Sequence, residues 1–426
     1  MRRARTGVLR TPVVAINSVI AIASLLVLVT ALAAVRATPA SALGAAEPGA
    51  GARAAIVIEA GSGQQLYGRN AQSIQAIASA TKLMTALVTL ENVHRLGAMF
   101  TQNGYRSAAE DSQIGLSPGE RMSVHDLLIA LMLPSADDAA EDLAFNVGRG
   151  SVARFVGMMN ARARTLGLVN THYSTPIGLD TPGNYSSASD LVKLARYLLR
   201  TSPFFKRVVA LKGAVLHTGN HVRTVANRNV LVAKVPWING VKTGHTLQAG
   251  YVLVGSGTKN GMTLISAVIG TPSEAGRDTS TLSLLNYGFA NFSLRTPVRK
   301  GAVLARPAVR GRDQLHAPLI AAATFSHVFA RDARLSLRVH APQQVTGPLA
   351  RHARVGSVVV LWRGRVVKRV PLVVARAVPG PLSGAGGLGF ITRPFTLVVL
   401  LVLLAVAIGL AVFWRGRIRG RRAKPA

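Results

Sequence analysis

The chain has 426 residues, with 50 Lys and Arg against 17 Asp and Glu, and it contains no Cys. This length is enough for two or three domains with a large hydrophobic core. The absence of Cys excludes disulfide bonds, thiolate metal sites and cysteine nucleophiles. The net charge of +33 favours an anionic partner, whose nature depends on the compartment that the two ends of the chain indicate.

Residues 1–42 have the pattern of a secretory signal. Three Arg lie in the first five positions, an apolar stretch covers 13–35, and Ala40-Ser41-Ala42 resembles the small-residue site at which such signals are cleaved. The apolar stretch is longer than most signal cores, so an uncleaved N-terminal anchor is the alternative. Residues 43–53 are rich in Ala, Gly and Pro and are expected to be a linker.

Between this linker and residue 292, the hydrophobic patterns predict an α+β domain. A strand, a Gly-Ser-Gly turn and a second strand are expected over 54–66, and two later strands form a hairpin around Asn260-Gly261. Helices are expected from the apolar spacing at 77–91, 123–147, 150–167, 186–200 and 281–292. Strands at both ends with helices between them predict one antiparallel sheet flanked by helices.

The remaining residues predict a small β domain and a membrane anchor. Short Val-rich alternating runs over 296–378 are typical of an all-β domain, here a small β-sandwich, and 379–394 is expected to be a linker. Residues 395–414 predict a transmembrane helix, because an uncharged stretch of about 19 residues spans about 28 Å. Six Lys and Arg within 415–426 indicate a cytoplasmic tail, so the body lies outside the cytoplasm.

The extracytoplasmic location decides between the anionic partners. It excludes nucleic acid, and it favours anionic cell-wall polymers or membrane lipid headgroups. An Arg-rich composition with a solvated basic surface explains the same charge equally well. No metal site or cofactor is expected: His217 and His221 are four positions apart, but the Gly and Asn between them favour a surface hairpin.

Ser79 and Lys82 are the first candidates for chemistry. They lie three positions apart at the start of an apolar helix, where both side chains share one face and the helix dipole favours negative charge. A buried Lys with a lowered pKa can accept the proton of a Ser nucleophile. Ser79 is also suited to cap this helix, which is compatible with catalysis. A second Ser-x-x-Lys, Ser256 to Lys259, lies on the predicted hairpin and is set aside.

Two further motifs follow in order and strengthen this hypothesis. Ser135 lies in LPSADDAA, within the predicted helical region, and Lys242-Thr243-Gly244 directly precedes the hairpin as an edge strand would. Ser-x-x-Lys, a central Ser motif and Lys-Thr-Gly together form the signature of penicillin-binding proteins and class A β-lactamases. With further stretches such as STPIGLD and NRNVL, residues 54–292 resemble the low-molecular-mass penicillin-binding proteins that are serine D-alanyl-D-alanine carboxypeptidases.

The resemblance implies a β-lactamase/transpeptidase-like domain and assigns roles by position. Ser79 would be the acylated nucleophile, Lys82 its base, and Ser135 the relay of a proton to the leaving D-alanine. The other implied substrate-binding residues are Asp137, Lys242, Thr243, Gly244, His245 and Arg277, with Lys242 and Thr243 attracting the substrate carboxylate and the N–H groups of Ser79 and His245 forming the oxyanion hole. The implied partners are a bacterial peptidoglycan stem peptide ending in D-Ala-D-Ala, β-lactam antibiotics and membrane lipid.

Asp137 departs from the family pattern, whose middle motif is Ser-x-Asn. An Asn donates and accepts hydrogen bonds, whereas an ionised Asp only accepts and raises the pKa of a neighbouring Lys. Three alternatives therefore stay open: a weak or inactive wall-binding homologue, a β-lactamase and a transpeptidase. The β-lactamase is disfavoured by the β domain, by the membrane span and by the lack of a Glu-x-x-Asn motif between Ser135 and Lys242.

Overall fold

The computed structural model of the protein describes residues 47–108, 111–381 and 394–420. The predicted signal or anchor, most of the predicted linker at 379–394 and the end of the basic tail lie outside these residues. The chain divides into two compact units, the first ending at Asn291 and the second beginning at Phe292. Each unit is described by itself.

The first unit combines helices with one large antiparallel sheet. Its helices are α1 (Lys82–Asn92), α2 (Val124–Met132), α3 (Asp137–Val147), α4 (Val152–Thr165), α5 (Ala188–Thr201), α6 (Pro203–Val208), α7 (Leu231–Lys234) and α8 (Glu274–Asn291). Its strands are β1 (Ala54–Glu59), β2 (Gln65–Arg69), β3 (Met99–Thr101), β4 (Arg121–Ser123), β5 (Gly213–Leu216), β6 (Arg223–Ala226), β7 (Ile238–Thr246), β8 (Gly250–Lys259) and β9 (Met262–Thr271).

The main sheet has the strand order β2-β1-β9-β8-β7, and every neighbouring pair is antiparallel. Side chains alternate between the two faces of a strand. On β9, Ile265 joins the large core that includes α5, whereas Leu264 on the opposite face lies against Gly288 of α8. Helices therefore cover both faces of the sheet, and β7 is left as an edge strand, as the sequence predicts.

Local sequence explains several of these elements. Asn260 and Gly261 join β8 to β9 with φ of 50° and 75°, the left-handed pair that a two-residue hairpin turn requires. Ser123, Ser151 and Ser187 each accept a hydrogen bond from the backbone N–H three residues ahead and so cap α2, α4 and α5. The stretch with His217 and His221 lies between β5 and β6, in the predicted hairpin.

One predicted helical region is divided into two helices in the structure. The apolar pattern over 123–147 predicted a single helical region containing Ser135, but the structure has α2 and α3 separated by residues 133–136. Ser135 lies in this loop with φ of 69°, a left-handed conformation that ends a helix. The apolar spacing continues across the break because the loop residues Leu133 and Ala136 are themselves buried.

The N-terminal stretch predicted as a linker is attached to the first unit where it is described. Within 47–53, Ala52 is buried, and the Arg69 guanidinium of β2 donates hydrogen bonds to the carbonyls of Gly49 and Ala52. These backbone contacts hold the stretch on the edge of the sheet. Composition alone did not reveal them, because they depend on an Arg from another strand.

In the second unit, the region that the sequence predicted as a small β domain is built of β-strands. Its strands are β10 (Phe292–Val298), β11 (Val303–Ala305), β12 (Ala308–Val309), β13 (Arg312–His316), β14 (Leu319–Ala321), β15 (Phe325–Ala330), β16 (Leu335–His340), β17 (Gln344–Val345), β18 (Arg354–Trp362) and β19 (Arg365–Val374). They form sheets in the orders β11-β14-β19-β18-β16, β13-β12-β17 and β10-β15. A core of mostly Val and Leu side chains holds this unit together.

The C-terminal helix α9 covers Pro394–Gly420. Within its segment Thr396–Arg417, an 18-residue window has a mean hydropathy of 3.1, and none of this window is buried. In the part of the chain that the structure describes, this is the one helix long and apolar enough to cross a membrane. The finding is compatible with the predicted anchor.

Candidate active site

The three sequence motifs meet in one cleft of the first unit, with a volume of about 450 Å³. Lys82 and Lys242 are fully buried. The predicted site residues that line the cleft are Ser79, Ser135, Asp137, Thr243, Gly244, His245 and Arg277.

Ser79 lies in a short 3₁₀ turn, Ala78–Thr81, directly before α1. The prediction that Ser79 caps the helix is wrong: α1 begins at Lys82, its N-cap position is Thr81, and no side chain caps either the turn or the helix. Ala78 has φ of 48°, so the backbone bends sharply into Ser79. Gly178 makes this bend possible, because a Cβ there would lie 2.2 Å from the Ala78 carbonyl oxygen.

Lys82 is held by three acceptors. Its Nζ donates to Ser79 Oγ at 2.8 Å, to Asp137 Oδ1 at 2.5 Å and to the Ile177 carbonyl at 2.8 Å. Burial lowers the pKa of the Lys82 ammonium, and Arg228 adds to this, while the Asp137 carboxylate opposes it. The ammonium therefore touches both the candidate nucleophile and a carboxylate.

Ser135 and Lys242 form the second pair of the cleft. Lys242 Nζ donates to Ser135 Oγ at 2.8 Å and to the Thr243 carbonyl at 2.9 Å. Burial, followed by the nearby Lys82 and Arg228 cations, lowers the pKa of Lys242 well below its usual range. Lys242 therefore contacts the Ser135 hydroxyl directly, and burial makes it a weaker base than an exposed Lys.

Asp137 begins α3 and belongs to a cluster of carboxyl groups. Burial raises its pKa, and the Asp111 carboxylate adds to this, whereas Lys82 and Lys242 lower it. One helical turn further on, burial and then the charge of Asp137 raise the pKa of Glu141 to about 7. The buried carboxyl groups of Asp137 and Glu141 therefore both lie near Lys82.

β7 runs directly against the Ser79 turn because residue 244 is Gly. A Cβ at Gly244 would lie 3.0 Å from Ser79 N and 3.1 Å from both Ala78 Cβ and the Ile77 carbonyl oxygen. The next residue, His245, is exposed at the cleft and stacks on Tyr251 with 4.0 Å between ring centroids. The backbone of β7 thus lies close to the backbone N–H of Ser79.

Arg277 lines the cleft but is already paired. Its guanidinium lies 2.8 Å from both Glu274 and Asp278 and is almost fully buried. It still contributes to lowering the pKa of Lys242. Its two carboxylate partners make it a weaker candidate for a substrate carboxylate than Thr243 or the exposed Arg228.

Sequence reasoning missed several groups at this site. Arg228 and Gly178 lie within the stretches NRNVL and STPIGLD, which carried the family resemblance without a role for either residue. Asp111 comes from an irregular segment without a recognisable pattern. The Ile177 carbonyl is a backbone acceptor, which has no signal in the sequence.

Comparisons with known proteins agree with this geometry. The family model described as D-alanyl-D-alanine carboxypeptidase matches residues 41–273, more than half of the chain. The chain is 32% identical over 340 residues to the D-alanyl-D-alanine carboxypeptidase DacC of Escherichia coli, covering 77% of this chain and 84% of that protein. It is 27% identical over 349 residues to DacF of Bacillus subtilis, covering 80% and 88%.

Solved structures give the same result. Penicillin binding protein 5 of Haemophilus influenzae matches with a TM-score of 0.61 and 30% identity, over 77% of this chain and 98% of that one. The Streptomyces K15 DD-transpeptidase matches with a TM-score of 0.53 and 35% identity, over 56% and 97%. The predicted fold is confirmed by these likenesses. The chain belongs to the D-alanyl-D-alanine carboxypeptidase family.

Proposed function

We propose that the protein is a membrane-anchored serine carboxypeptidase that removes the terminal D-alanine from peptidoglycan stem peptides through an acyl-enzyme. The observation that carries this proposal is the 2.8 Å hydrogen bond between Lys82 Nζ and Ser79 Oγ at the base of the cleft. Burying a Lys ammonium costs folding free energy. A fully buried Lys in contact with a Ser hydroxyl has a chemical use, which is to activate that hydroxyl as a nucleophile.

The roles of the other residues follow from their contacts. Ser79 attacks the peptide carbonyl and Lys82 takes its proton. Ser135 donates a proton to the leaving D-alanine, and its contact with Lys242 replaces that proton. The Thr243 hydroxyl and the exposed Arg228 lie in the same cleft and bind the terminal carboxylate of the substrate.

The oxyanion of the tetrahedral intermediate lies between the N–H groups of Ser79 and His245. The close approach of β7 to Ser79 N at Gly244 supports this assignment. One such donor typically contributes about 3–4 kcal/mol to transition-state stabilisation. His245 also forms a wall of the cleft through its stacking on Tyr251.

The cellular arrangement is proposed from the two ends of the chain. α9 anchors the protein in the lipid of the bacterial cell membrane, and the basic residues of 415–426 remain in the cytoplasm. The segment 54–292 then acts on the outer side, as the catalytic domain, and 296–378 is a β domain that follows it in the chain. The signal pattern in 1–42 supports export of this body.

Labelling with a fluorescent penicillin tests the proposed nucleophile. The full-length protein is expected to label covalently, and Ser79→Ala is expected to abolish the label. Ser256→Ala is the matched control, because Ser256 belongs to the second Ser-x-x-Lys but lies in the β8–β9 hairpin, and it should label like the unaltered protein. Absence of label on the unaltered protein would favour the inactive wall-binding homologue instead.

A transpeptidase is the second candidate function. The 35% identity to the Streptomyces K15 DD-transpeptidase favours it, since the same acyl-enzyme can react with an amine instead of water. A synthetic pentapeptide ending in D-Ala-D-Ala, incubated with and without an acceptor amine, separates the two. We expect the shortened peptide to dominate in both mixtures; a dominant amine-linked product would assign the transpeptidase. Rapid turnover of penicillin with little peptide cleavage would assign the β-lactamase.

A further inference from the structure

Lys82 has no free position at which to accept a proton. An ammonium group carries three protons, and those of Lys82 point to Ser79 Oγ, Asp137 Oδ1 and the Ile177 carbonyl. Its side chain is 0% exposed, so bulk water does not reach Nζ to remove one. To act as the base for Ser79, Lys82 must release a proton to one of these neighbours.

Asp137 is the neighbour that can take it. Ser79 is the group to be deprotonated, and a backbone carbonyl such as that of Ile177 is a very weak base. Asp137 Oδ1 is a carboxylate oxygen only 2.5 Å from Nζ. On the function proposed above, we propose that Asp137 receives the proton that Lys82 releases, so that the two side chains act together as the base for Ser79.

The surroundings favour this transfer. Burial lowers the pKa of Lys82 and raises that of Asp137, and both shifts reduce the cost of moving a proton between them. The groups that act on Asp137 come from several elements: Lys82 on α1, Lys242 on β7, Glu141 on α3, and Asp111 and Tyr105 from irregular segments. Arg228 acts on both lysines.

The family's usual residue cannot do this. An Asn side chain at position 137 could accept a hydrogen bond from Lys82 but could not accept its proton, since a neutral amide oxygen is not basic near neutral pH. With Asn, Lys82 must already be neutral before the substrate binds. With Asp137, the resting Lys82–Asp137 ion pair can itself act as the base, because Lys82 passes one proton to Asp137 as it accepts the proton of Ser79.

The proton balance closes over one turnover. In acylation the Ser79 O–H bond breaks, its proton goes to Lys82 and a Lys82 proton goes to Asp137, while Oγ bonds to the carbonyl carbon and the C=O electron pair moves to oxygen. When the intermediate collapses, the oxyanion pair re-forms C=O, the C–N bond breaks with its pair leaving on nitrogen, and this nitrogen takes the Ser135 proton, which Lys242 replaces. In deacylation the oxygen of water bonds to the acyl carbon, and a water proton returns through Ser135 to Lys242. The acyl C–Oγ bond then breaks, and Asp137 returns its proton through Lys82 to the Ser79 oxygen.

Proton inventories test the inference on the full-length protein. The rate of penicillin acylation is measured in mixtures of H₂O and D₂O. For the unaltered protein we expect a curved dependence on deuterium fraction, because two protons move on the base side in one step, and for Asp137→Asn a linear one. A linear dependence for the unaltered protein would overturn the inference even if Asp137→Asn failed to fold.

The pH profile of acylation gives an independent readout. The acid limb of the unaltered protein reports protonation of the Asp137 carboxylate, whereas that of Asp137→Asn reports protonation of Lys82. We therefore expect the limb to move up by about one pH unit or more in the variant, with about tenfold slower acylation on its acid side. An unmoved limb would contradict the inference.

Asp142→Asn is the matched control, because Asp142 is another buried carboxyl group on α3 but bonds to Asn146 and not to Lys82. Its acid limb should equal that of the unaltered protein, and a shift as large as that of Asp137→Asn would overturn the inference. Failure of the proposed function is a separate result: it is loss of penicillin labelling and of D-alanine release in the unaltered protein.

Discussion

Gly244→Ala tests whether the close approach of β7 to Ser79 matters for catalysis. The added Cβ would lie 3.0 Å from Ser79 N and 3.1 Å from Ala78 Cβ and the Ile77 carbonyl oxygen. Ordinary contacts of a Cβ begin at about 3.4 Å. Because two of these three atoms are backbone, β7 and the Ser79 turn must separate by roughly 0.4 Å.

This displacement sets the expected loss of rate. A misplacement of about 1 Å in a catalytic site costs on the order of 100-fold in rate. A shift of roughly 0.4 Å between the two proposed oxyanion donors should therefore slow acylation by roughly fivefold to tenfold. The overpacking itself is expected to cost about 1–3 kcal/mol of unfolding free energy.

The assay is the second-order rate of labelling by a fluorescent penicillin, measured with the thermal unfolding of the same samples. The matched control is Gly157→Ala in α4, where a Cβ meets no atom within 4 Å. It should label normally and gain about 0.5–1 kcal/mol of stability. If Gly244→Ala labels at the normal rate, or if its labelling falls only by the fraction of the sample that is unfolded, the close approach of β7 does not matter for catalysis.

Three other predictions concern stability and the cleft backbone. Arg223→Met should lower the free energy of unfolding by about 3–5 kcal/mol in urea titrations, because it leaves the buried Glu120 carboxylate, now 2.8 Å from the guanidinium, without its cation; a loss under 1 kcal/mol would contradict this. Burial opposes ionisation of Asp126, but hydrogen bonds from His125 and Thr218 outweigh it and lower its pKa. A lowered pKa in the folded state stabilises the protein above the unfolded value of about 3.9, and this contribution is lost as the pH falls through the folded value. Asp126→Asn should therefore flatten the stability profile on this acid side, and an unchanged slope in acid titrations would argue against it. Ser135→Gly should unfold at higher temperature than Ser135→Ala, by the equivalent of about 1 kcal/mol, because Gly relieves the left-handed backbone; both should acylate slowly, and equal stability of the two would contradict the strain.

The sequence was sufficient for the parts of the site that depend on local spacing. Ser79 and Lys82 share a helical face, and the β8–β9 hairpin with its edge strand follows from Asn260-Gly261 and alternating apolar residues. The family resemblance that the three motifs carry implied that their residues share one site, and Ser79, Ser135 and Thr243 line one cleft. These features are encoded within a few consecutive residues each.

Some of the features that were missed depend on distant parts of the chain, and others had a local signal. The left-handed conformations of Ala78 and Ser135 are imposed by packing, since neither residue favours them. The helix break before Asp137 was missed although Pro134 signals it locally, because Leu133 and Ala136 continue the apolar spacing of the helices. The Ile177 carbonyl enters the site through tertiary structure alone. The carboxylates that neutralise Arg277 are local instead, because Glu274 and Asp278 lie three residues before it and one residue after it in α8.

The release of D-alanine from a synthetic pentapeptide ending in D-Ala-D-Ala is the decisive measurement of the proposed carboxypeptidase activity. The full-length protein is incubated with this peptide, and free D-alanine and the shortened peptide are quantified together. We expect one D-alanine released for each tetrapeptide formed, and no release by Ser79→Ala. No release by the unaltered protein, or equal release by Ser79→Ala, would contradict it.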